Sequence, residues 1–311
     1  MTRGGTAGCG LVGVVVNPTA AQGRGARTGA RVADLLRGHG HDVLDLSGAE
    51  AAQALGNARQ AVIDGLVALV VVGGDGMVHL GVNAVAATGT PLGIVAAGSG
   101  NDLARTVELP LHDAADACRV IADALRTGRS RPLDAVRVTG ADPMAGVWYA
   151  GVFSAGLDAA VNARANRLTW PHGHLKYLRA VIGELGIFRP YSYRVTTDDE
   201  VWESDGTLVA VANGPMFGGG IRIVPEARLD DGVLDVVLAG PLTRPQVLRL
   251  FPQLYTGRHV RSPAVRLLRT RQVTIEAGPG NPPPPAFADG EEIGALPWHL
   301  RVHAGAVRLL V

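Results

Sequence analysis

Cysteine is scarce in this sequence. Only Cys9 and Cys118 occur among 311 residues, and they form no paired motif. A cysteine-based zinc site is therefore excluded, and the scarcity favours a reducing compartment over a secreted, disulfide-bonded protein. Both cysteines are expected to be small buried hydrophobic residues.

Long apolar runs are also missing. No segment approaches the ~20 apolar residues that a transmembrane helix requires. The nearest candidate for a targeting segment, Cys9 to Val16, has no convincing basic region before it, and Asn17 and Pro18 follow where a strand would end. We expect a cytoplasmic protein without a transmembrane segment, whose contact with a membrane is at most peripheral and at its inner face.

An excess of charge of either sign is absent as well. The formal net charge is +1, whereas a nucleic-acid-binding protein needs a strongly basic face, so no nucleic-acid partner is expected. Arginines are locally dense between Arg244 and Arg271, with apolar residues between them. This region either rests on anionic lipid headgroups or packs on the protein with its arginines in solvent.

The stretch from Val70 to Val78 is the most informative part of the sequence. A β-branched hydrophobic run breaks into Gly73-Gly74-Asp75-Gly76 and then into a pattern that is compatible with a helix. Bare amides at the start of a helix bind anions, and open α/β sheets bind ligands at the carboxyl ends of their strands. The stretch predicts a phosphate-binding turn, and a tight turn without a ligand is the alternative for this motif alone.

Strands and helices alternate from Leu11 to about Thr127 with short connections. This alternation predicts an N-terminal α/β domain with a doubly wound, Rossmann-like, mostly parallel sheet. The turns at Asn17, Gly74 and Ser99 then lie at the carboxyl ends of strands and can converge on one ligand.

The pattern changes near residue 134. Short strand candidates separated by Gly, Pro and Asp predict a C-terminal antiparallel β-sandwich domain with inserted helices. These candidates are Ala145 to Phe153, Tyr191 to Thr197, Leu208 to Ala212, Val233 to Leu238, Val273 to Ala277 and His299 to Val302. Two helical stretches, Leu157 to Ile187 and Arg244 to Tyr255, interrupt them. We therefore expect domains over residues 1–134 and 135–311, with the final segment packing back on the first domain.

Five motifs follow one another along the chain. They are Asn17-Pro18-Thr19, Gly73-Gly74-Asp75-Gly76, Gly98-Ser99-Gly100-Asn101-Asp102, Asp230-Asp231-Gly232-Val233-Leu234-Asp235 and Asp289-Gly290-Glu291. In this order they resemble the diacylglycerol-kinase-like lipid kinases, which include bacterial diacylglycerol and sphingosine kinase relatives. The resemblance implies a kinase that uses ATP and Mg²⁺ to phosphorylate a lipid hydroxyl. Residues 1–134 would then form the nucleotide-binding catalytic domain and residues 135–311 the lipid-substrate domain.

The resemblance also implies which residues contact the nucleotide. They are Asn17, Pro18, Thr19, Ala20 and Ala21 on the phosphate side, Gly74, Asp75, Gly76, Met77, Val78 and His79 in the phosphate turn, and Ser47, Ser99 and Asn101 nearby. No Walker lysine is needed, because backbone amides, Mg²⁺ and arginines can share the phosphate charge.

Two carboxylates are the implied catalytic residues. Glu291 matches the general base of the family, and accepting the proton of an alcohol is worth roughly 10²–10⁴ in rate. Glu292 is adjacent, and from the sequence alone either side chain could face the substrate. Asp75 either holds a Mg²⁺-bound water or the acceptor hydroxyl, or it stabilises its own turn.

A magnesium site is implied in the second domain. The carboxylate of Asp231 and the backbone carbonyls of Arg228 and Val233 match the metal-binding loop of the family. Ligation by oxygen alone suits a hard cation. A plain β-turn at Asp231 and Gly232 is the alternative.

Several residues depart from the family pattern. Met77 stands where the family usually has Thr, His79-Leu80 where it has Asn-Glu, and Ala20-Ala21 where it has Ser-Gly. Two other functions therefore stay open: a soluble NAD-kinase-like enzyme and a non-catalytic nucleotide- or lipid-binding homologue. NAD kinases usually carry Asn-Glu early in the second domain, which Val152 to Asn162 lacks. The lipid is expected to be presented at a membrane surface, and the sequence leaves open its identity and the formation of a homodimer.

Overall fold

The computed structural model describes residues 10–17, 24–168 and 174–311. The chain divides into two compact units, of which unit 1 comprises Met1–Leu133 and Gly305–Val311, and unit 2 comprises Asp134–Ala304. Four of the expected nucleotide contacts, Pro18, Thr19, Ala20 and Ala21, lie outside the described residues.

Unit 1 alternates strands and helices. Its elements are β1 (Leu11–Val16), α1 (Arg24–Gly38), β2 (Asp42–Asp45), α2 (Ala51–Ile63), β3 (Ala68–Gly73), α3 (Asp75–Val85), β4 (Pro91–Ala96), α4 (Asp102–Thr106) and α5 (Ala114–Thr127). The strands pair in parallel in the order β2-β1-β3-β4. Near the end of the chain, Arg308 and Leu309 extend this sheet by pairing in parallel with Pro91 and Leu92.

Helices cover both faces of the parallel sheet. On one face, Val12 and Val14 of β1 form a buried cluster with Val32 of α1 and Ile121 of α5. On the other face, α3 lies so close to the sheet that a Cβ at Gly81 would come within 2.9 Å of the Val71 side chain. Alternating side chains of each strand thus point to opposite helix layers. The predicted doubly wound domain is confirmed.

Unit 2 is dominated by antiparallel strands. Its elements are β5 (Arg131–Thr139), β6 (Val147–Tyr149), β7 (Val152–Gly156), α6 (Leu157–Arg167), α7 (His174–Ile187), β8 (Tyr191–Thr197), β9 (Val201–Gly206), β10 (Leu208–Ala212), β11 (Leu234–Ala239), α8 (Arg244–Leu254), a 3₁₀ turn (Arg258–Arg261), β12 (Val265–Thr270), β13 (Gln272–Ala277), β14 (Ala286–Ala288), β15 (Glu291–Gly294) and β16 (Trp298–Leu309). The chain passes from one unit to the other within β5 and within β16.

Two layers of strands enclose the main core of unit 2. One sheet has the order β12-β11-β10-β7-β14-β15, and the other layer contains β16, β13, β8 and β9 in that order. Phe153 and Val236 of the first layer pack with Tyr149, Tyr193 and Ile275 of the second, and all five are buried. The predicted antiparallel sandwich with inserted helices is confirmed.

The predicted strand from Ala145 to Phe153 is wrong as a single element. The structure has β6 and β7 there, separated by Ala150 and Gly151. The amides of these two residues donate to the carboxylate of Asp289, at 3.0 and 2.9 Å, rather than to a neighbouring strand. A side chain that is distant in sequence therefore ends the strand.

Three helices of unit 2 pack together on the six-stranded sheet. Leu157 of α6, Val181 of α7 and Val247 of α8 belong to one buried cluster. An apolar cleft lies between these helices and strands β10 and β11. The predicted helical stretch from Leu157 to Ile187 consists of α6 and α7. Among the helices that the structure describes, none has the length and apolar character needed to cross a bilayer.

Candidate active site

The turn between β3 and α3 is held by the side chain of Asp75. Its two carboxylate oxygens accept hydrogen bonds from the backbone amides of Asn101 and Asp102, at 3.0 and 2.8 Å. These amides belong to the turn after β4, so one side chain joins two of the sequence motifs. Hydrogen bonds to a carboxylate are among the stronger ones in proteins. Asp75 therefore fixes the relative position of both turns.

The two turns approach each other through their glycines. A Cβ added to Gly98 would lie 2.3 Å from the Cα of Gly74, which no side chain can tolerate. The amides of Ala97 and Gly98 both donate to the carbonyl of Gly73, at 2.8 and 3.2 Å. Close backbone contact thus requires glycine at position 98, while a Cβ at Gly74 would make a tight contact of 3.1 Å with the Cα of Gly98.

Backbone donors are available where the turns meet. Helix α3 begins at Asp75 with Gly74 as its N-cap, and the amides of Met77 and Val78 donate to the carbonyl of Gly74. Those two amides are therefore already bonded, and the amides without an acceptor among the described residues are those of Asp75 and Gly76, at the positive end of the helix dipole. Arg105 lies beside the second turn, where its Nε donates to the carbonyl of Gly100 at 2.8 Å. This end of the sheet is chemically suited to bind phosphate oxygens.

The remaining predicted contacts of unit 1 lie around the same strand ends. The Ser47 hydroxyl accepts a hydrogen bond from the amide of Val16 at 3.0 Å, next to Asn17. Ser99 is exposed, and Asn101 caps α4 in a left-handed conformation with φ of 58°. Ser47 thus supports the end of β1, while Ser99 presents its hydroxyl to solvent.

The departures from the family pattern on α3 have different surroundings. Met77 and Leu80 are buried, with 8% and 7% of their surfaces exposed. The Met77 side chain packs against Gly73, where an added Cβ would lie 2.5 Å from it. The half-buried His79 places its Nε2 3.2 Å from the Nδ2 of Asn83. The two apolar departures are therefore absorbed into the core of unit 1.

The Asp-Gly-Glu motif forms a tight hairpin between β14 and β15. Asp289 and Gly290 have φ of 50° and 86°, as a two-residue type I′ hairpin turn requires. The Asp289 carboxylate accepts hydrogen bonds from the amides of Ala150, Gly151 and Val152 at 2.9 to 3.1 Å. The hairpin is thereby fastened to the turn between β6 and β7. Glu291 follows it on β15 with an exposed side chain.

Glu292 is also exposed, although it follows Glu291 directly. Glu291 is opposite Ala288 in the strand pair, and Glu292 is opposite Phe287. Neighbouring residues of a strand point to opposite faces of the sheet. The two carboxylates therefore face different surroundings, and only one of them can act on a given substrate.

The predicted metal loop contains a network of carboxylates and one arginine. Asp231 forms an ion pair with Arg269, and its Oδ1 accepts a hydrogen bond from the Val233 amide at 3.2 Å. The Nε of Arg269 lies 3.4 Å from Oδ1 of Asp235. Burial raises the pKa of Asp235 above its ordinary value, and the Arg269 guanidinium partly offsets this effect.

Asp134 supports the metal loop from inside the unit. Its carboxylate accepts a hydrogen bond from the Gly232 amide at 2.6 Å, and its own amide donates to the Leu229 carbonyl at 2.7 Å. Asn213 donates to the carbonyl of Asp134 at 3.0 Å. Asp134 is 2% exposed, so these bonds hold the loop in a protected environment.

The apolar cleft of unit 2 contains one buried carboxylate. The lining includes Leu157, Val181, Leu208 and Phe251, and Asp158 lies among them in the first turn of α6. In the described part of the chain, neither oxygen of Asp158 accepts a hydrogen bond of full geometry, although the Ser154 hydroxyl and the Ala159 amide lie close enough to favour its charged form. Burial raises the pKa of this carboxyl to about 6, against a smaller lowering by the Ser154 hydroxyl. Burying a charged carboxylate without enough hydrogen bonds lowers the stability of the folded protein, unless a bound ligand supplies a donor.

Sequence reasoning missed the structural roles of Asp134, Asp158 and Asp289. A signal for Asp158 was present, since a mostly apolar strand ends in Gly156 and a helix with an early Asp follows, as at Gly74 and Asp75. Asp289 belongs to the Asp289-Gly290-Glu291 motif, but its three amide partners are more than 130 residues away in sequence. No local pattern indicates Asp134.

Comparison with known families agrees with these two units. Residues 12–138 match the family model described as the diacylglycerol kinase catalytic domain. Residues 151–311 match the model described as the YegS C-terminal NAD kinase beta sandwich-like domain. The resemblance that the five motifs indicate is thus confirmed.

Individual relatives extend over most of the chain. A protein named diacylglycerol kinase from Mycobacterium tuberculosis strain H37Rv is 34% identical over 302 residues, which cover 97% of this chain and 95% of the relative. A protein named "Probable lipid kinase YegS-like" from Xanthomonas oryzae pv. oryzae is 31% identical over 259 residues, or 78% of this chain and 81% of the relative.

A solved structure shares the fold. The crystal structure of a diacylglycerol kinase from Bacillus anthracis strain Sterne has a TM-score of 0.74, with 98% of each chain covered and 22% sequence identity. At this identity, the likeness supports the architecture of the chain and not its chemistry. The family models and the relatives above 30% identity carry the assignment further: the chain belongs to the diacylglycerol-kinase-like lipid kinase family.

Proposed function

We propose that this protein transfers the terminal phosphoryl group of ATP to a hydroxyl group of a lipid, with Mg²⁺ as the required cation. The relatives are named diacylglycerol kinase and lipid kinase, and they cover most of the chain. A lipid of the diacylglycerol type is the acceptor that these names favour. A phosphoryl transfer of this kind depends on positioning and charge stabilisation more than on covalent chemistry.

Unit 1 is proposed to hold the nucleotide phosphates. The first amides of α3 and the turn that contains Ser99 lie beside the contact between Gly74 and Gly98. The glycines have no side chains there, so a phosphate can come close to the backbone amides. Asp75 acts as a positioning residue, because both of its oxygens already hold the second turn. Each oxygen keeps a further lone pair, so a Mg²⁺-bound water can still be accepted there.

The loop around Asp231 is proposed to hold Mg²⁺. Its donors fit a hard cation, because the Asp231 carboxylate and the carbonyls of Arg228 and Val233 are all oxygen ligands. Within the described residues, no group of three or more His, Cys, Asp and Glu side chains could hold a metal, so a site here depends on these carbonyls. Arg269 supplies the positive charge that now faces Asp231. When bound, the cation would neutralise negative charge on the phosphates.

Glu291 is proposed to accept the proton of the lipid hydroxyl. It is exposed on β15, directly after a hairpin whose position is fixed by the three amide bonds of Asp289. A base on a rigid hairpin can be held within hydrogen-bonding reach of its substrate, as general base catalysis requires. The proton passes to the Glu291 carboxylate while the hydroxyl oxygen attacks the terminal phosphorus and ADP leaves.

The observation that carries the lipid substrate is the apolar cleft with Asp158 inside it. Its lining offers apolar side chains along most of its length and one carboxylate that can accept a hydrogen bond from a hydroxyl. The long apolar chains of a lipid match this lining, whereas a soluble nucleotide acceptor such as NAD has no such chain. The cleft encloses about 90 Å³, roughly the volume of three waters, so it must widen to take a whole acyl chain.

A transfer assay with radiolabelled ATP and Mg²⁺ tests the proposal. Diacylglycerol in mixed micelles, a sphingoid base, a total lipid extract and NAD are offered in parallel. We expect label in the diacylglycerol product, loss of label when Mg²⁺ is chelated, and no label in NAD.

Three results would contradict the proposal. Label in NAD would favour a soluble NAD-kinase-like enzyme. Phosphoryl transfer that persists without a divalent cation would rule out the proposed role of Mg²⁺. ATP binding by calorimetry without transfer to any acceptor would mean a non-catalytic nucleotide-binding homologue.

A further inference from the structure

The segment from Arg244 to Arg271 has an unusual charge composition. It contains seven arginines and no aspartate, glutamate or lysine, in a chain whose formal net charge is +1. The segment comprises α8, the 3₁₀ turn over Arg258–Arg261, and β12 at the edge of the six-stranded sheet. A continuous part of the surface of unit 2 is therefore strongly basic.

Two arginines of this segment have acidic partners. Arg266 pairs with Glu200, and Arg269 pairs with Asp231. Four arginines on α8 and the 3₁₀ turn are exposed and form no ion pair with any described residue: Arg244, Arg249, Arg258 and Arg261. Arg271, which follows β12, is likewise exposed without an ion pair. Their charge is neutralised by nothing else in the described part of the chain.

Large apolar side chains are exposed among these arginines. Leu248 is 58% exposed and Tyr255 is 47% exposed. Leu248 lies within α8 and Tyr255 is its C-cap, seven residues or about two helical turns later, so the two side chains occupy one side of the helix. We define the α8 surface as Arg244, Leu248, Arg249, Tyr255, Arg258 and Arg261.

The other side of α8 lines the apolar cleft. Val247, Leu250, Phe251 and Leu254 point toward the cleft that contains Asp158. One helix thus separates an apolar interior from a surface that combines arginines with exposed apolar groups. A helix with these two sides can lie in the headgroup region of a bilayer.

We propose that the α8 surface docks the protein onto a bilayer that contains anionic phospholipids. The four unpaired arginines attract the headgroup phosphates, and the Leu248 and Tyr255 side chains enter the interfacial region. A nucleic acid would satisfy the charge but not the exposed leucine, so the combination favours a lipid surface. If the proposed function is correct, α8 then borders the route by which a lipid passes from the bilayer into the cleft.

Vesicle sedimentation of the full chain, without nucleotide, tests the docking directly. Vesicles of phosphatidylcholine alone are compared with vesicles that also contain phosphatidylglycerol. We expect binding to the anionic vesicles only, and weaker binding as salt is raised, because exposed charges are screened.

Two sets of variants assign the binding to the α8 surface. Arg249→Gln with Arg258→Gln should weaken binding roughly 30-fold, since each arginine near an anionic surface contributes about fivefold. Leu248→Ser should weaken it roughly tenfold through lost apolar contact. The matched control, Arg129→Gln with Arg301→Gln, removes the same charge from exposed arginines that make no ion pair in the described chain, and it should bind like the wild type.

The outcomes separate this inference from the proposed function. Three results would contradict docking through the α8 surface. They are an equal loss of vesicle binding in the control variant, equal binding of the wild type to neutral and anionic vesicles, and arginine-dependent binding to RNA but not to vesicles. In a transfer assay, the arginine variant should lose turnover on diacylglycerol in anionic vesicles and keep it on a short-chain, water-soluble diacylglycerol. If the wild type phosphorylates neither substrate, the proposed function fails, while sedimentation still decides the docking.

Discussion

The two units contain similar strand-to-helix junctions that differ in how their carboxylates are satisfied. In unit 1, β3 ends at Gly73 and Asp75 begins α3, and each of its oxygens accepts a backbone amide. In unit 2, β7 ends at Gly156 and Asp158 lies in the first turn of α6, buried and without a complete hydrogen bond. A similar local sequence thus gives Asp75, whose oxygens are hydrogen-bonded to backbone amides, and Asp158, whose oxygens are not.

This difference separates residues that hold the structure together from the residues that we propose to contact ligands. Asp75 and Asp289 hold turns through two and three amides, respectively. Asp158 and the exposed Glu291 do not hold a turn in this way. Replacing a structural carboxylate should therefore reduce stability, whereas replacing one of the others should mainly affect substrate use.

The largest effect is expected for Asp75→Ala. The change leaves the amides of Asn101 and Asp102 without an acceptor and should cost about 4 kcal/mol of unfolding free energy, at about 2 kcal/mol per charge-assisted bond. ATP affinity should fall with it, because both turns lose their fixed positions. Urea unfolding and calorimetry measure these quantities.

Asp113→Ala is the matched control in the same unit. Asp113 also accepts two amides, those of Ala115 and Asp116, as the N-cap of α5. Its replacement should cost only about 1 kcal/mol and leave ATP affinity unchanged. Equal effects of the two variants on ATP binding would show that Asp75 has no special place in the site.

A pH-dependent effect is expected for Asp158→Asn. The pKa of Asp158 is about 6 in the folded protein against an ordinary 3.8, so the folded state binds this proton more tightly than the unfolded chain. The bound proton on Asp158 therefore stabilises the folded state fully below about pH 4, and this stabilisation is lost by about pH 6. Relative to the variant, the wild type should therefore lose about 3 kcal/mol over this interval.

Denaturant titrations of both proteins across this pH range measure the difference. A constant difference in unfolding free energy between pH 4 and pH 7 would mean that Asp158 has an ordinary pKa and a partner for its charge.

A change in turnover without a change in stability is expected for Glu291→Gln. Loss of the base should lower kcat about 100-fold, equivalent to about 2.7 kcal/mol. The side chain is exposed, so the unfolding free energy should stay within about 0.5 kcal/mol. Steady-state kinetics on the lipid substrate measure the loss.

Glu292→Gln is the control, because the neighbouring strand position points to the other face. It should keep kcat within a few-fold of the wild type. If Glu292→Gln shows the large loss and Glu291→Gln does not, the base is Glu292.

The smallest effect is expected for Met77→Thr. The Met77 side chain is buried against Gly73 rather than exposed at the turn, so a hydroxyl at this position should change the KM for ATP by less than about threefold. A large improvement in ATP use would instead mean that the departure from the family pattern weakens nucleotide binding.

The sequence predicts unit 1 more accurately than unit 2 for a physical reason. Parallel strands that are buried on both faces appear in the sequence as continuous apolar runs, and β1 begins at Leu11, where the predicted alternation of strands and helices begins. Strands of a sandwich are shorter and partly polar. The edge strand β12, with Arg266 and Arg269 in its short span, gives no apolar alternation that would predict it.

Site positions follow a similar rule. The glycine-rich turns were recognisable because their backbone demands restrict the sequence locally, as the contact between Gly74 and Gly98 shows. The amide partners of Asp289 and the support of the metal loop by Asp134 could not be predicted, because they join residues that are distant in sequence.

The most direct test of this division of roles is a paired measurement of KM for ATP and for diacylglycerol in wild type, Asp75→Asn and Asp158→Asn. We predict that Asp75→Asn raises the KM for ATP alone and that Asp158→Asn raises the KM for diacylglycerol alone, each by about tenfold, because the first carboxylate holds the proposed phosphate turns and the second lies in the cleft proposed for the lipid. If Asp158→Asn leaves the KM for diacylglycerol unchanged, or raises only the KM for ATP, the cleft of unit 2 is not the lipid site.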